Sequence, residues 1–238
     1  MAMDDQRIPG PPPSMFYMPN FVSEDEETKL LESIPANKWI TLSKRRLQAI
    51  PARLTATNTL LATDSSLPPW LEDPIVQRIH ATDAFDASPH GRINHCLINE
   101  YLAGQGIMPH EDGGAYHPVV ATVSLGGSIV LDVTTKEENN TFLASGRQAS
   151  KWRVLQEPRS LLITCGAAYS DTLHGIAEVT EDVDLGEGTV ANWSLLGDQE
   201  TVIAVGEKNV RTTRISLTFR DVKKVSNLGA KLFGKAKT

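Results

Sequence analysis

The chain is poor in cysteine, histidine and aromatic residues, carries no excess of positive charge and has no long apolar run. Two cysteines, Cys96 and Cys165, are too few for a disulfide framework or a four-thiolate zinc site, and read as buried free thiols of a reducing compartment. A formal net charge of −6 argues against a purely electrostatic nucleic-acid binder, though not against a local basic groove. No apolar stretch approaches the ~20 residues of a membrane span. The opening MAMDDQRIPGPPPS has neither a basic start nor an apolar run, so no secretory signal is expected. These absences point to a soluble intracellular protein, with cytoplasm and nucleus as the expected compartments.

What is present suffices for one sizeable core, since 40% of the 238 residues are hydrophobic. Residues 1–14 read as a flexible arm. Ser23 followed by Glu26 forms a capping box, and Leu30, Leu31 and Ile34 recur at helical spacing, so a helix is expected over 23–34. A second is expected over about 73–83, after LPPWLEDP. Residues 15–92 therefore read as helices and loops able to cover a site. From 93 to 222 the pattern is β. HPVVATVSL, SIVLDV, PRSLLIT, TVIAVG and RTTRISLTFR are rich in Val, Ile, Thr and Leu and bounded by turn residues. Short strands without intervening helices predict a sandwich or jelly roll, in one domain spanning 15–225. Residues 134–151 and 178–200 read as exposed insertions, and 223–238 as a solvated basic tail.

Chemistry concentrates in LINEYLAGQGIMPHEDGG, residues 97–114. In an extended segment His110 and Asp112 point to the same side, while Glu111 points away. Two imidazoles and one carboxylate suit a divalent transition metal with open positions, so this pair lacks one nitrogen donor. Among the other histidines, His80 and His90 belong to the helix-and-loop half, His95 precedes a strand, and His117 follows closely enough to line an entrance. His174 remains, among apolar neighbours that more often surround a buried structural histidine than a ligand.

In RTTRISLTFR, alternation places Arg214, Ser216, Thr218 and Arg220 on one face and Ile215, Leu217 and Phe219 on the other. The polar face either meets water at a sheet edge or clamps a small dicarboxylate, because guanidinium forks match carboxylates. Asn99 and Tyr101 likewise share a face on an earlier strand.

The order N-x-Y, H-x-D, a distant His and R-x-x-x-x-x-R resembles the AlkB-type iron(II)- and 2-oxoglutarate-dependent dioxygenases. NEYLAGQGIMPHEDG, LPPWL, EPRSLL and LHGIA are most similar to the branch called AlkB homologue six. The resemblance implies a double-stranded β-helix with flanking helices. It implies Fe(II) on His110, Asp112 and His174, and 2-oxoglutarate held by Arg214 with Asn99, Tyr101, Ser216 and Thr218. Arg220 would lie near cosubstrate and reaction centre. The implied reaction uses O2 and demethylates alkylated DNA or RNA bases, releasing CO2, succinate and formaldehyde. Lys44, Arg45, Arg46 and Arg53 are then candidates for phosphates, and Tyr116 or Trp39 for stacking. Two other readings stand beside it: a catalytically idle jelly-roll module that binds nucleic acid or protein, and a cupin-like metalloenzyme without a cosubstrate. This chain is more acidic than the family's usual member and has a long acidic span between His174 and Arg214.

Overall fold

The computed structural model describes residues 3–11, 14–61, 67–136 and 150–226. An edge strand β1 (Met15–Met18), a hairpin of β2 (Ile40–Thr41) and β3 (Arg46–Ile50), and the short β4 (Leu60–Leu61) come first. The regular part then runs β5 (His95–Tyr101), β6 (Ile107–His110), β7 (Val119–Gly126) and β8 (Ile129–Thr135). It continues with β9 (Lys151–Gln156), β10 (Leu161–Cys165) and β11 (Thr172–Ile176). A ribbon of β12 (Glu181–Asp182) and β13 (Asn209–Val210) precedes β14 (Arg214–Arg220), and β15 (Val225–Ser226) pairs in parallel with β4.

Two sheets result, ordered β1-β10-β7-β14-β5-β3-β2 and β6-β11-β8-β9. Take β5 to β11 with β14 as eight core strands. The first, eighth, third and sixth lie in the larger sheet, and the second, seventh, fourth and fifth in the smaller. That alternation is the jelly roll, or double-stranded β-helix, and it agrees with the expected fold.

The larger sheet is apolar on its outer face because every second residue is. Ile98, Val123, Ile163, Leu217 and Phe219 pack there against Leu30 of helix α1 (Glu24–Ser33) and against Leu71 and Ile79. Each such side chain contributes about 1.5–3 kcal/mol by leaving water, and Phe219→Ala would cost about 3–5 kcal/mol through the cavity it leaves. Helix α1 begins with the expected capping box between Ser23 and Glu26. The second helical segment starts earlier than expected, at Pro69, and runs to His80 with a break at Asp73. No helix among the described residues is long and apolar enough to cross a membrane.

Three expectations change. The arm expected to be flexible forms a 3-10 turn at Met3–Gln6, and Ile8 is buried in the core between the sheets. The first four residues of TVIAVG lie in a helix, Gln199–Ala204, and are not extended, because Asp198 caps it by accepting from the Thr201 amide (3.0 Å) and Ile203 stays exposed with no sheet to join. Residues 178–200 are packed, not looped out. Leu185, Val190 and Leu196 are buried in the apolar cluster that includes Ile129, Val130 and Leu155 of the smaller sheet, and Asn192 exchanges two hydrogen bonds with the backbone of Leu155 (2.8 and 2.9 Å). A buried fork from Arg211 to Asp182 (2.5 and 2.9 Å) pins the ribbon. Of the other two segments read as exposed, residues 137–149 of the first insertion and 227–238 of the tail lie outside the described residues.

Candidate active site

The inner face of the larger sheet is where alternation leaves its polar residues. A cavity of about 290 Å³ lies between the sheets, lined there by Asn99, Tyr101, Arg214, Ser216, Thr218 and Arg220. The arginine-bearing strand is not an edge. β14 lies between β5 and β7, with Ser216 opposite both Asn99 and Ser124, so its polar face is enclosed rather than hydrated.

His110, Asp112 and His174 line the same cavity from the smaller sheet. His174 sits on β11, paired in register with His110 on β6. One donor atom from each of the three residues lies within 4.8 Å of the others. Two glycines permit the approach. Gly104 turns the chain at φ +81°, and a Cβ on Gly106 would stand 2.2 Å from the Ile176 carbonyl oxygen. The His110 Nδ1–H donates to the Met108 carbonyl (2.9 Å), because a carbonyl can only accept, so Nε2 keeps its lone pair for a ligand. Burial pushes the His174 pKa down to about 4, which leaves a neutral imidazole at neutral pH. Two imidazoles and a carboxylate fit Fe(II). Glu111, between two of these residues, ion-pairs with Lys136.

The other histidines have structural work. His90 pairs with the buried Asp221 (2.7 Å), and His95 is buried with Nε2 at 3.2 Å from the Ala52 carbonyl. His80 packs edge-on against Phe85. His117 does not line the cavity; its amide donates to the Asp221 carbonyl (2.9 Å).

Two guanidinium groups face the cavity differently. Arg220 is paired with Asp112, both side chains being almost fully buried, and lies 4.7 Å over the Tyr116 ring. Arg214 has no carboxylate partner among the described residues. Its Nη2 donates to Ser124 Oγ and Gln156 Oε1 (both 2.9 Å), while its buried Nε has no partner. Burial lowers its pKa to about 10. An orphaned N–H on a buried cation fits the carboxylate of a small diacid.

The basic patch divides. Lys44 pairs with Glu178 (2.6 Å), and Arg46 pairs with Glu100 and covers the face of Trp39 at 4.4 Å, so Trp39 is not presented to the cavity. Arg53 is exposed away from the cavity lining. Arg45 alone reaches the cavity wall, donating from Nε to Asn99 Oδ1 (3.1 Å). Tyr116 also lines it. Sequence reasoning missed Ser124, Gln156 and Tyr169. The signal for Gln156 was a polar residue closing the alternation Trp152, Val154, Gln156 on β9.

Fold and site together define an oxygenase of the jelly-roll kind. The chain belongs to the 2OG-Fe(II) oxygenase superfamily, which residues 14–220 match, and the family's cofactors are Fe(II), 2-oxoglutarate and O2. Over 219 residues it is 40% identical to a Danio rerio protein named "Probable RNA/DNA demethylase ALKBH6", covering 90% of this chain and 88% of that one. Over 167 residues it is 30% identical to the Arabidopsis thaliana "Alkylated DNA repair protein ALKBH8 homolog", covering 66% of this chain and 48% of that protein. The solved structure of OsALKBH1 aligns over 88% of this chain and 99% of that chain, at 18% identity and a TM-score of 0.49.

Proposed function

We propose that this protein oxidatively demethylates alkylated nucleic-acid bases, with His110, Asp112 and His174 holding Fe(II) and Arg214 holding the distal carboxylate of 2-oxoglutarate. The observation that carries this reading is the shared cavity. A His–Asp–His cluster and a buried arginine with no acid partner among the described residues line it from the two sheets. With iron and 2-oxoglutarate bound, O2 would be the oxidant, one of its oxygen atoms going into succinate as 2-oxoglutarate loses CO2 and the other into a substrate C–H bond; on an N-methyl group the hydroxylated product breaks down to the free amine and formaldehyde.

The chain's own residues bind, orient and shield. Arg220 holds the Asp112 carboxylate at the cluster, and Met108 fixes which His110 nitrogen is free. Asn99, Tyr101, Ser216 and Thr218 supply polar groups along the path from Arg214 to the cluster. Apolar Leu131 and Val133 line the cavity from the smaller sheet and Leu162 from the larger, and limit water. At the rim, Tyr116 offers a ring for an extruded base and Arg45 a cation for its phosphate. The name carried by the Danio rerio relative supports the substrate class.

The test is a panel of N-methylated and unmethylated RNA and DNA strands, incubated with protein, Fe(II), 2-oxoglutarate and O2. Formaldehyde from methylated strands alone is the expected result. Succinate formation that no nucleic acid accelerates would overturn the substrate class and leave the oxygenase.

A further inference from the structure

The polar cluster behind Arg214 has a chemistry that cosubstrate binding alone does not require. Gln156 comes from the smaller sheet and Ser124 from the larger, and both meet the same guanidinium nitrogen. Ser124 Oγ also donates to Gln156 Oε1 (3.1 Å), so the amide oxygen takes two donors while the hydroxyl relays one. All three side chains are almost completely buried: Ser124 is 0% exposed, Gln156 2% and Arg214 2%. The usual partner of a buried arginine is a carboxylate, as Asp112 is for Arg220 and Asp182 for Arg211 in this same protein. Among the buried arginines of the described residues (Arg211, Arg214 and Arg220), Arg214 is the one held by neutral oxygens instead of a carboxylate, and its Nε has no partner.

We infer that Gln156 is a positioning residue whose neutrality matters: together with Ser124 it anchors one edge of the Arg214 fork without neutralising it, leaving the full charge for the cosubstrate carboxylate. This rests on the assignment of Arg214 to that carboxylate. A carboxylate at position 156 would match the amide in size and satisfy the arginine better in the free protein. It would then compete directly with the ligand. The fold gives up an internal ion pair to keep the site attractive to a diacid.

The experiment measures 2-oxoglutarate binding to the full-length Mn(II)-loaded chain by calorimetry, with thermal unfolding of the ligand-free protein alongside. Gln156→Glu is expected to weaken 2-oxoglutarate binding about tenfold to a hundredfold, the range for losing a charge-assisted hydrogen bond, while its unfolding temperature equals or exceeds that of the wild type. Gln156→Leu removes the acceptor without adding charge and is expected to stay within about threefold, because Ser124 still accepts from the same nitrogen. Should Gln156→Glu fail to fold, Ser124→Asp places the same charge on that nitrogen from β7, with the same expectation. Binding by the charged variant within about twofold of wild type, or a loss in Gln156→Leu as large as in Gln156→Glu, overturns the inference. Arg214→Met in the same assay separates the two claims. If it binds as the wild type does, the role of Arg214 falls and the inference with it; if only Gln156→Glu binds normally, the inference falls alone.

Discussion

His110 and His174 face each other across two antiparallel strands, paired in register, with ring centroids 4.4 Å apart. Sequence separation hides this; the close packing of β6 on β11 creates it. Neither ring needs a large movement to share a ligand, so the site is largely built before metal arrives. His174→Ala should therefore lose divalent-metal affinity by at least the 10–100-fold typical of disturbing a ligand's support, with the fold retained. Mn(II) titration followed by calorimetry, with circular dichroism as the fold control, checks this.

Arg220 and Asp112 form a buried ion pair that touches the candidate metal cluster. Arg220→Ala leaves the carboxylate buried without its cation and should cost about 3–5 kcal/mol of stability, the usual result of breaking such a pair from one side. A divalent ion should restore part of that loss, since it replaces the missing positive charge. Urea unfolding with and without Mn(II) reads both effects.

Acid should loosen the contact between α1 and the segment 69–80. The side chain of Arg78, with the Ser23 amide, holds the Glu26 carboxyl down at about 2 against an ordinary value of 4.5. A lowered folded pKa stabilises the protein fully above the unfolded value and loses that contribution as pH falls toward the folded one. The unfolding-temperature gap between wild type and Glu26→Gln should be constant above pH 5 and close between about pH 4.5 and 2. A gap unchanged at pH 3 would contradict the pairing.

Arg45 should be read out by salt rather than by turnover. If its guanidinium grips a substrate phosphate, Arg45→Ala makes the plot of log affinity against log salt shallower by about 0.7 for a single strand. An identical slope in fluorescence-anisotropy titrations of a methylated oligonucleotide would remove Arg45 from the substrate path.

The sequence disclosed the site further than the architecture around it. Two-residue periodicity put Arg214, Ser216, Thr218 and Arg220 on one face, and the structure keeps them there. It could not say whether that face met water, because an enclosed central strand and an edge strand share one pattern; the pairing of β14 with both β5 and β7 decides it. His174 was reached by elimination, as strand-to-strand register is invisible along the chain. For Gln156 the alternation on β9 marks the face, but its partners are hidden for a related reason: Ser124 and Arg214 belong to the other sheet. TVIAVG failed because β-branched composition expresses packing against neighbouring strands, and at 199–204 there are none while Asp198 offers a helix cap.

The central claim is that one cavity holds both an iron site and a 2-oxoglutarate site. Its most direct test is succinate formation from 2-oxoglutarate by the purified protein with Fe(II) and O2, measured for wild type, His174→Ala and Arg214→Ala. Succinate is expected from the wild type, none from His174→Ala, and a raised 2-oxoglutarate KM in Arg214→Ala. Succinate formed equally by wild type and His174→Ala would contradict that claim.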